Sequence, residues 1–405
     1  MAVSRAGYAR AGRLSDSVRA VIHAVSTEDR ERLLAEFIRF CEIESPSGRE
    51  RGVADAIVED LRGLGVEVEE DDSAGVTGSD AGNLLARIPG PEGAPTVLLC
   101  AHMDTVPLDG PVEVVSDNGL LTNRHNAILG ADNKAAVVTI LGAVRRLLRD
   151  GTPPAGVELL FTTGEEQALN GAKAFEMSKL TADFGYVFDH ASPIGEIVIA
   201  SPTYYSVEGW FRGQAAHAGI RPEAGHNAIA AAARAVASMR IGRLDDETTA
   251  NVGRIDGGTA ANVVAERCYV ELETRSLDAE RAGEVVAEMV DALSEAASDS
   301  ECDLETSVER LFQGYRLPRT AAPVEVAAAA LRELDIEPTY IPTGGGSDAN
   351  VFIPGLTVVN LANGTERNHQ PDESVTLEAL ETMLEVTVSL VRQAALMAAQ
   401  TTLGD

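Results

Sequence analysis

At 405 residues the chain is too long for one ordinary hydrophobic core and fits two domains better than three. Its 45% hydrophobic and 24% charged residues describe a globular, water-soluble composition, and no apolar run approaches the roughly 20 residues of a membrane-spanning helix. The 33 Lys+Arg against 63 Asp+Glu give a net charge of −30, which disfavours nucleic-acid backbones and anionic membranes as partners, because both need a basic footprint.

Residues 1–25, rich in Ala, Arg and Ser, are weakly patterned and read as an N-terminal extension. They hold no uninterrupted apolar stretch followed by a small-residue cleavage site, so no secretory leader is expected. Ser26 with Asp29 three residues on has the form of a capping box, and Leu33, Leu34, Phe37, Ile38 and Cys41 recur at helical spacing. A second amphipathic helix follows near 49–64. Beyond it, apolar runs of strand length at 96–103, 157–163 and 184–189 alternate with helical patterns near 134–149 and 170–178. That alternation predicts an α/β fold, a mainly parallel sheet with helices on both faces.

Around 203 the pattern changes. A strand at 204–213, an Ala-rich helix at 226–239, strands at 249–256 and 265–275, a helix at 278–297 and a strand at 303–312 give the order β-α-β-β-α-β. This is the ferredoxin-like α+β arrangement, small enough to be an inserted domain over 203–314. The parallel-sheet pattern resumes after 315 with a helix at 322–334, the turn Gly344-Gly345-Gly346, a strand at 356–361 and a final helix at 377–398. The main domain is therefore expected to comprise 26–202 and 315–405.

Cys41, Cys100, Cys268 and Cys302 lie far apart without a CxxC pair, which argues for reduced thiols in the cytoplasm. Arginine carries almost all the positive charge, since Lys134, Lys173 and Lys179 are the only lysines. The acids are scattered rather than gathered in a tail, as on the solvated acidic surface that salt adaptation produces.

The residues with chemical capacity sit where the predicted strands end. His102 and Asp104 close the first run, Glu165 and Glu166 follow the second, and Asp189 ends the third. Open α/β sheets bind ligands at the carboxyl ends of their strands, so one crevice can collect all five. His102 and Asp104 stand two apart on a strand and leave the same face, so an imidazole could bind a metal through one nitrogen while the carboxylate holds the other. His-x-Asp alone is a weak signal, and a polar strand end is the plainer explanation. Asp132, at a loop-to-helix junction, would by itself read as a helix N-cap, and Glu165 and Glu166 as first-turn acids facing a helix dipole. Asp189 ends an apolar strand, a poor place for a charge unless it is paired or bound to a cation. His369 supplies a second imidazole. Together these N and O donors suit Zn²⁺, or Mn²⁺ or Co²⁺, and exclude a thiolate site. Their number exceeds one tetrahedral ion, so a carboxylate bridging two metals roughly 3.5–4 Å apart accounts for the set.

The stretches LLCAHMDTVP, LGADNKAAV, TTGEEQALNGA, VFD, GQAAHAG, GGTAANVV, ETRS, GGGSDAN and NHQPDE resemble, in order, those of the M20 zinc metallopeptidases, and most closely the peptidase T-like members. The resemblance runs from about residue 30 to the C-terminus. It implies that His102, Asp132 and Asp189 hold one zinc, and that Asp132, Glu166 and His369 hold the other, with Asp132 bridging. It further implies that Asp104 orients His102 and that Glu165 is the general base, taking a proton from the attacking water and passing it to the leaving amine. In the inserted domain His217 matches a histidine that polarises the scissile carbonyl, often from the partner subunit of a dimer. Asn262, Arg275, Ser347 and Asp348 match substrate-contacting positions. Asn133 stands where a second aspartate is frequent, His190 where a glycine is common, and His125 and His226 have no counterpart.

The resemblance implies a two-zinc hydrolase cleaving the N-terminal residue from short peptides and acting as a homodimer through the inserted domain. An N-acyl-amino-acid amidohydrolase or carboxypeptidase-like enzyme with the same metals is the alternative. A fold-retaining protein without catalysis would lack the base or the bridging ligand, and Glu165 and Asp132 are both present. The glycine triplet is accompanied by no GxGxxG or P-loop lysine, so it does not signal a nucleotide site.

Overall fold

In the computed structural model, which describes residues 25–404, each apolar run that ends in a polar residue becomes a buried strand. The N-terminal extension expected over 1–25 lies, apart from Val25, outside the described residues. The chain divides into two compact units, Met1–Ile197 with Arg319–Tyr340 and Pro354–Asp405, and Val198–Pro318 with Ile341–Ile353.

The first unit is built on a twisted sheet. Its strands lie in the order Val68–Glu70, Leu84–Ile88, Gly156–Thr162, Thr96–His102, Phe184–His190 and Val358–Ala362. The last four run parallel, with His102 opposite Thr162 and Cys100 opposite Val187. The two leading strands are antiparallel additions that the sequence reading did not anticipate. Continuous burial of Val97, Leu98, Leu99, Cys100 and Ala101 explains why this run shows no alternation: a parallel strand covered on both faces is apolar throughout. Each such Leu or Val contributes about 1.5–3 kcal/mol by leaving water.

The covering helices include Thr27–Cys41, Ala131–Arg149, Ala322–Glu333 and Leu377–Gly404. The second of these packs against the first and the last. Ser26 caps the first helix by accepting a hydrogen bond from the Asp29 N–H at 3.1 Å, as its sequence suggests. A separate four-stranded sheet, in the order Thr365–Glu366, Ser374–Thr376, Leu120–Asn123 and Val114–Asp117, joins segments far apart in sequence. Its strands are too short to leave a periodic signal.

The second unit has the expected β-α-β-β-α-β order. Its strands Thr203–Arg212, Thr248–Gly257, Arg267–Ser276 and Asp303–Phe312 are all antiparallel, the first lying between the third and the fourth. Helices Ala228–Ser238 and Ala279–Asp299 pack on one face through Ala231, Ala235, Val285, Met289 and Leu293. Asn227 and Asp278 cap them, each accepting from the N–H two or three residues on, a contribution of about 1 kcal/mol apiece.

This unit is larger than the 203–314 segment read from sequence, because Ile341–Ile353 belongs to it. Hydrogen bonds cause the difference. Thr343 N donates to Ala200 O at 2.9 Å, Ser201 Oγ to Gly345 O at 2.9 Å, and Asn350 Nδ2 to Gln313 O at 2.9 Å. Gly346 is seated where a Cβ would lie 2.3 Å from the Phe312 ring. A glycine-rich segment satisfied by remote backbone carries no hydrophobic period.

All four cysteines are buried and free. Among the described residues no helix is long and apolar enough to cross a membrane.

Candidate metal centre

Parallel pairing sets the carboxyl ends of the strands Thr96–His102, Gly156–Thr162 and Phe184–His190 on one edge. His102, the turn carrying Glu165 and Glu166, and Asp189 therefore converge. His102 is 2% exposed and Asp104 fully buried. The His102 Nδ1 lies 3.0 Å from the Asp104 main-chain oxygen and 3.3 Å from its Oδ1. A carbonyl oxygen only accepts, so Nδ1 carries a proton and Nε2 faces the opposite way, 3.2 Å from Asp132 Oδ1 and 3.6 Å from Asp189 Oδ1.

Asp104 does more than face the imidazole. Its Oδ1 accepts from the Glu165 N–H at 3.0 Å, and its Oδ2 from the Glu166 N–H at 3.2 Å and the Ser47 hydroxyl at 2.6 Å. One buried carboxylate thus fixes both the imidazole and the main chain bearing the paired glutamates. Burial alone would raise its pKa, but the His102 contact and these hydrogen bonds hold it below the usual carboxylate range. Glu165 and Glu166 lie in a turn ahead of the short helix Asn170–Ala174, so they are not first-turn acids of a helix. Asn83 holds the turn, accepting from Thr163 N at 3.0 Å and donating to Gly171 O at 2.9 Å. Gly171 is required there, because a Cβ would stand 2.1 Å from Thr163 O.

Asp132 turns its side chain toward imidazoles rather than toward a helix N–H. Although it lies at the start of the helix Ala131–Arg149, its backbone is non-helical, with φ −82° and ψ 104°, and the Asp132–Asn133 peptide bond is cis. Its two oxygens face different imidazoles: Oδ1 toward His102 Nε2, and Oδ2 toward His369 Nε2 at 3.2 Å. Asn368 Nδ2 donates to the second oxygen at 2.8 Å. His369 lies in a turn ahead of the last helix, with φ +64°. Its Nε2 is 2.8 Å from Glu166 Oε1. Asn360 brackets the main chain of Asp189, accepting from its N–H and donating to its carbonyl, both at 3.0 Å.

Two donor groups result, His102 with Glu165 and Asp189, and His102 with Asp132 and Glu166, each with ligand atoms within 4.8 Å of one another. A divalent cation fits them on three grounds. All donors are N or O. Carboxylates outnumber imidazoles, so protons on the histidines leave the cluster short of positive charge. Glu166 Oε1 is buried beside His369 Nε2 yet receives no hydrogen bond of proper geometry, as expected when two lone pairs aim at a common point.

The electrostatics carry the same message. Burial pushes the Asp189 carboxyl up to about 7, with Asp132 and Glu166 adding to the rise against His102. The Asp132 and Glu166 carboxylates beside it raise His369 to about 10. In cation-free protein the charged His369 contributes stability in full below its unfolded value near 6.5, and loses it as pH climbs through about 10. Asp189, with its pKa raised, ionises unfavourably from about pH 4 to 7, in the same direction. The thermal midpoint in chelator is therefore expected to fall between about pH 6.5 and 10, less steeply in His369→Gln, while added cation removes the fall. Differential scanning fluorimetry across that range checks it, and a midpoint that rises equally in both proteins would contradict it.

His217 and the four candidate substrate-contacting residues lie in the second unit. His217 and Asn262 are exposed neighbours, Ala218 N donating to Asn262 O at 3.0 Å. The Gly219 N–H donates to His217 Nδ1 at 3.2 Å, leaving Nε2 as the ring's outward donor. Arg275 stacks 4.1 Å from the Tyr204 ring centre and donates to Gly344 O and to Glu273. Ser347 and Asp348 are buried beyond the glycine turn. His125 pairs with Glu113 at 3.4 Å, and the main chain of His226 pairs with Gln214.

Sequence reasoning missed Ser47, Asn360, Asn368 and above all Glu373. The last is 1% exposed and accepts three backbone hydrogen bonds from the Asp132 loop. Asn368 and Glu373 both lie within the stretch NHQPDE, which was the one available signal.

Residues 98–393 match peptidase family M20/M25/M40. The chain is 37% identical to aminopeptidase PepT of Bacillus cereus ATCC 10987, with 90% of this chain and 99% of that one covered and a TM-score of 0.83. It is 32% identical to a tripeptidase of Staphylococcus aureus, with coverage of 90% and 98% and a TM-score of 0.86. The YqjE protein of Bacillus subtilis is 36% identical over 368 residues, 91% of this chain and 99% of that protein. With the family's extent, the level of identity and a buried cluster suited to divalent cations all in agreement, the chain belongs to peptidase family M20/M25/M40 as a peptidase T-like, metal-dependent member.

Proposed function

We propose that the protein is a two-zinc aminopeptidase removing the N-terminal residue from short peptides, tripeptides among them. The observation that carries this reading is Asp132, whose two oxygens each face a different imidazole at 3.2 Å, the disposition a bridging ligand needs. His102, Asp132 and Asp189 would hold one ion, and Asp132, Glu166 and His369 the other. When bound, the ions supply Lewis-acid polarisation of the scissile carbonyl and lower the pKa of the attacking water.

Asp104 keeps the proton on His102 Nδ1 and anchors the turn that aims Glu165. Glu165 accepts a proton from the attacking water and returns it to the leaving amine. His217, with a donor at Nε2, stabilises charge developing on the carbonyl oxygen. Asn262, Arg275, Ser347 and Asp348 bind polar groups of the substrate, Arg275 being suited to a carboxylate.

The enzyme works as a homodimer through its second unit. Ile220, Ile241, Ile255 and Val308 of that unit are each more than 40% exposed, and the strand Asp303–Phe312 ends its sheet with one edge unpaired. Four buried free thiols suit the reducing cytoplasm.

Release of amino acids from free, N-acetylated and C-terminally amidated di- and tripeptides, with Zn²⁺, Mn²⁺ or Co²⁺ and a chelator control at low and high salt, tests the reading. Chelator-sensitive cleavage requiring a free N-terminus is expected. Cleavage of acylated substrates alone would replace it with the N-acyl-amino-acid amidohydrolase reading.

A further inference from the structure

We infer that Glu373 is a positioning residue that clamps the loop carrying Asp132, and so sets the affinity of the centre for divalent cations. The inference rests on the two-ion reading above.

Glu373 Oε2 accepts from the N–H groups of Leu129 and Gly130, both at 2.8 Å, and Oε1 from the Asp132 N–H at 2.9 Å. These N–H groups belong to a segment that leaves helical geometry. Gly130 has φ +75°, Asp132 and Asn133 are non-helical, and Gly130 supplies no side-chain cap to the helix that begins here. A carboxylate from 241 residues further along performs the capping instead. The peptide unit of Asp132 is thereby fixed at its N–H, which aims the side chain.

Glu373 also lies four residues after His369, in the turn where its own N–H donates to Gln370 O at 2.9 Å. One side chain therefore ties the Asp132 loop to the His369 turn and sets the spacing of two of the donors. The carboxylate is chemically specific for this task, because both oxygens only accept. In Glu373→Gln the amide NH₂ must face a backbone N–H whichever way it is turned.

Co²⁺ titration of Glu373→Gln, followed by visible absorption and by calorimetry, tests the clamp. Expected are an apparent Kd raised about 10–100-fold, an altered d–d spectrum, a smaller cation-induced rise in thermal midpoint, and kcat recovered within about threefold at saturating metal with KM unchanged. Wild-type Kd and spectrum in the variant would overturn it, since a purely structural role would lower only the midpoint of the metal-free protein. Wild-type protein that binds no Co²⁺ would instead overturn the two-ion reading.

Hydrogen exchange of a peptide spanning 128–133 in metal-free wild-type protein decides the matter should the variant fail to fold. Slow exchange before any cation is added is expected, and exchange slowed only by cation would refute the clamp.

Discussion

Glu165→Gln is expected to lower kcat by about three orders of magnitude while KM and bound divalent cation stay within about threefold of wild type. The amide keeps the volume of the side chain and loses the capacity to take a proton. The main-chain N–H groups of Glu165 and Glu166 remain tethered to Asp104 at 3.0 and 3.2 Å, so the turn itself should not move. Steady-state kinetics on a tripeptide, with metal content by atomic emission, checks both halves. Near-normal turnover would remove Glu165 from the chemistry. Loss of one ion together with activity would make it a ligand, an outcome the grouping of His102, Glu165 and Asp189 makes worth measuring.

Asp132→Ala is expected to abolish detectable turnover and to take bound cation from two per chain to none, whereas Asp189→Ala should retain one. The asymmetry follows from geometry. Asp132 faces both imidazoles, while Asp189 approaches His102 alone, at 3.6 Å. Calorimetric titration with Zn²⁺ or Mn²⁺ reads the stoichiometry directly. The same variant tests sharing between subunits. If His217 serves its partner, Asp132→Ala mixed with His217→Ala and allowed to exchange should recover roughly a quarter of wild-type activity, half the dimers having one complete site of two. Two ions in Asp132→Ala would refute the bridge. Silent mixtures with proven exchange would refute sharing.

Sequence and structure agree where local chemistry is one-sided. His102 and Asp189 were legible because an apolar strand rarely ends in a buried polar group without a reason, and parallel strands place such ends together. The β-α-β-β-α-β unit was legible because each of its strands is ten residues long, enough to show a period. Glu373 was not, because its partners are main-chain N–H groups, which leave no trace in the identity of the residues that carry them. The grouping of Ile341–Ile353 with the second unit was not legible for a related reason: Thr343 and Asn350 find their partners at Ala200, Ser201 and Gln313, and no local pattern announces so distant a pairing. Strands of two to four residues, such as Thr365–Glu366 and Ser374–Thr376, fall below what alternation can reveal.

The small sheet and the Glu373 hydrogen bonds also have a meaning in time. Asp132 and Glu373 are 241 residues apart, and at a synthesis rate of 5–20 residues per second they leave the ribosome roughly 10–50 s apart. Through that interval the nascent chain gains the strands Gly156–Thr162 and Phe184–His190 and then the second unit, but for most of it has neither His369 nor the carboxylate that holds the Asp132 loop. The proposed metal centre thus gains its second imidazole only when little more than the helix Leu377–Gly404 is left to be made, and a chain whose translation stops short of His369 is expected to be inert.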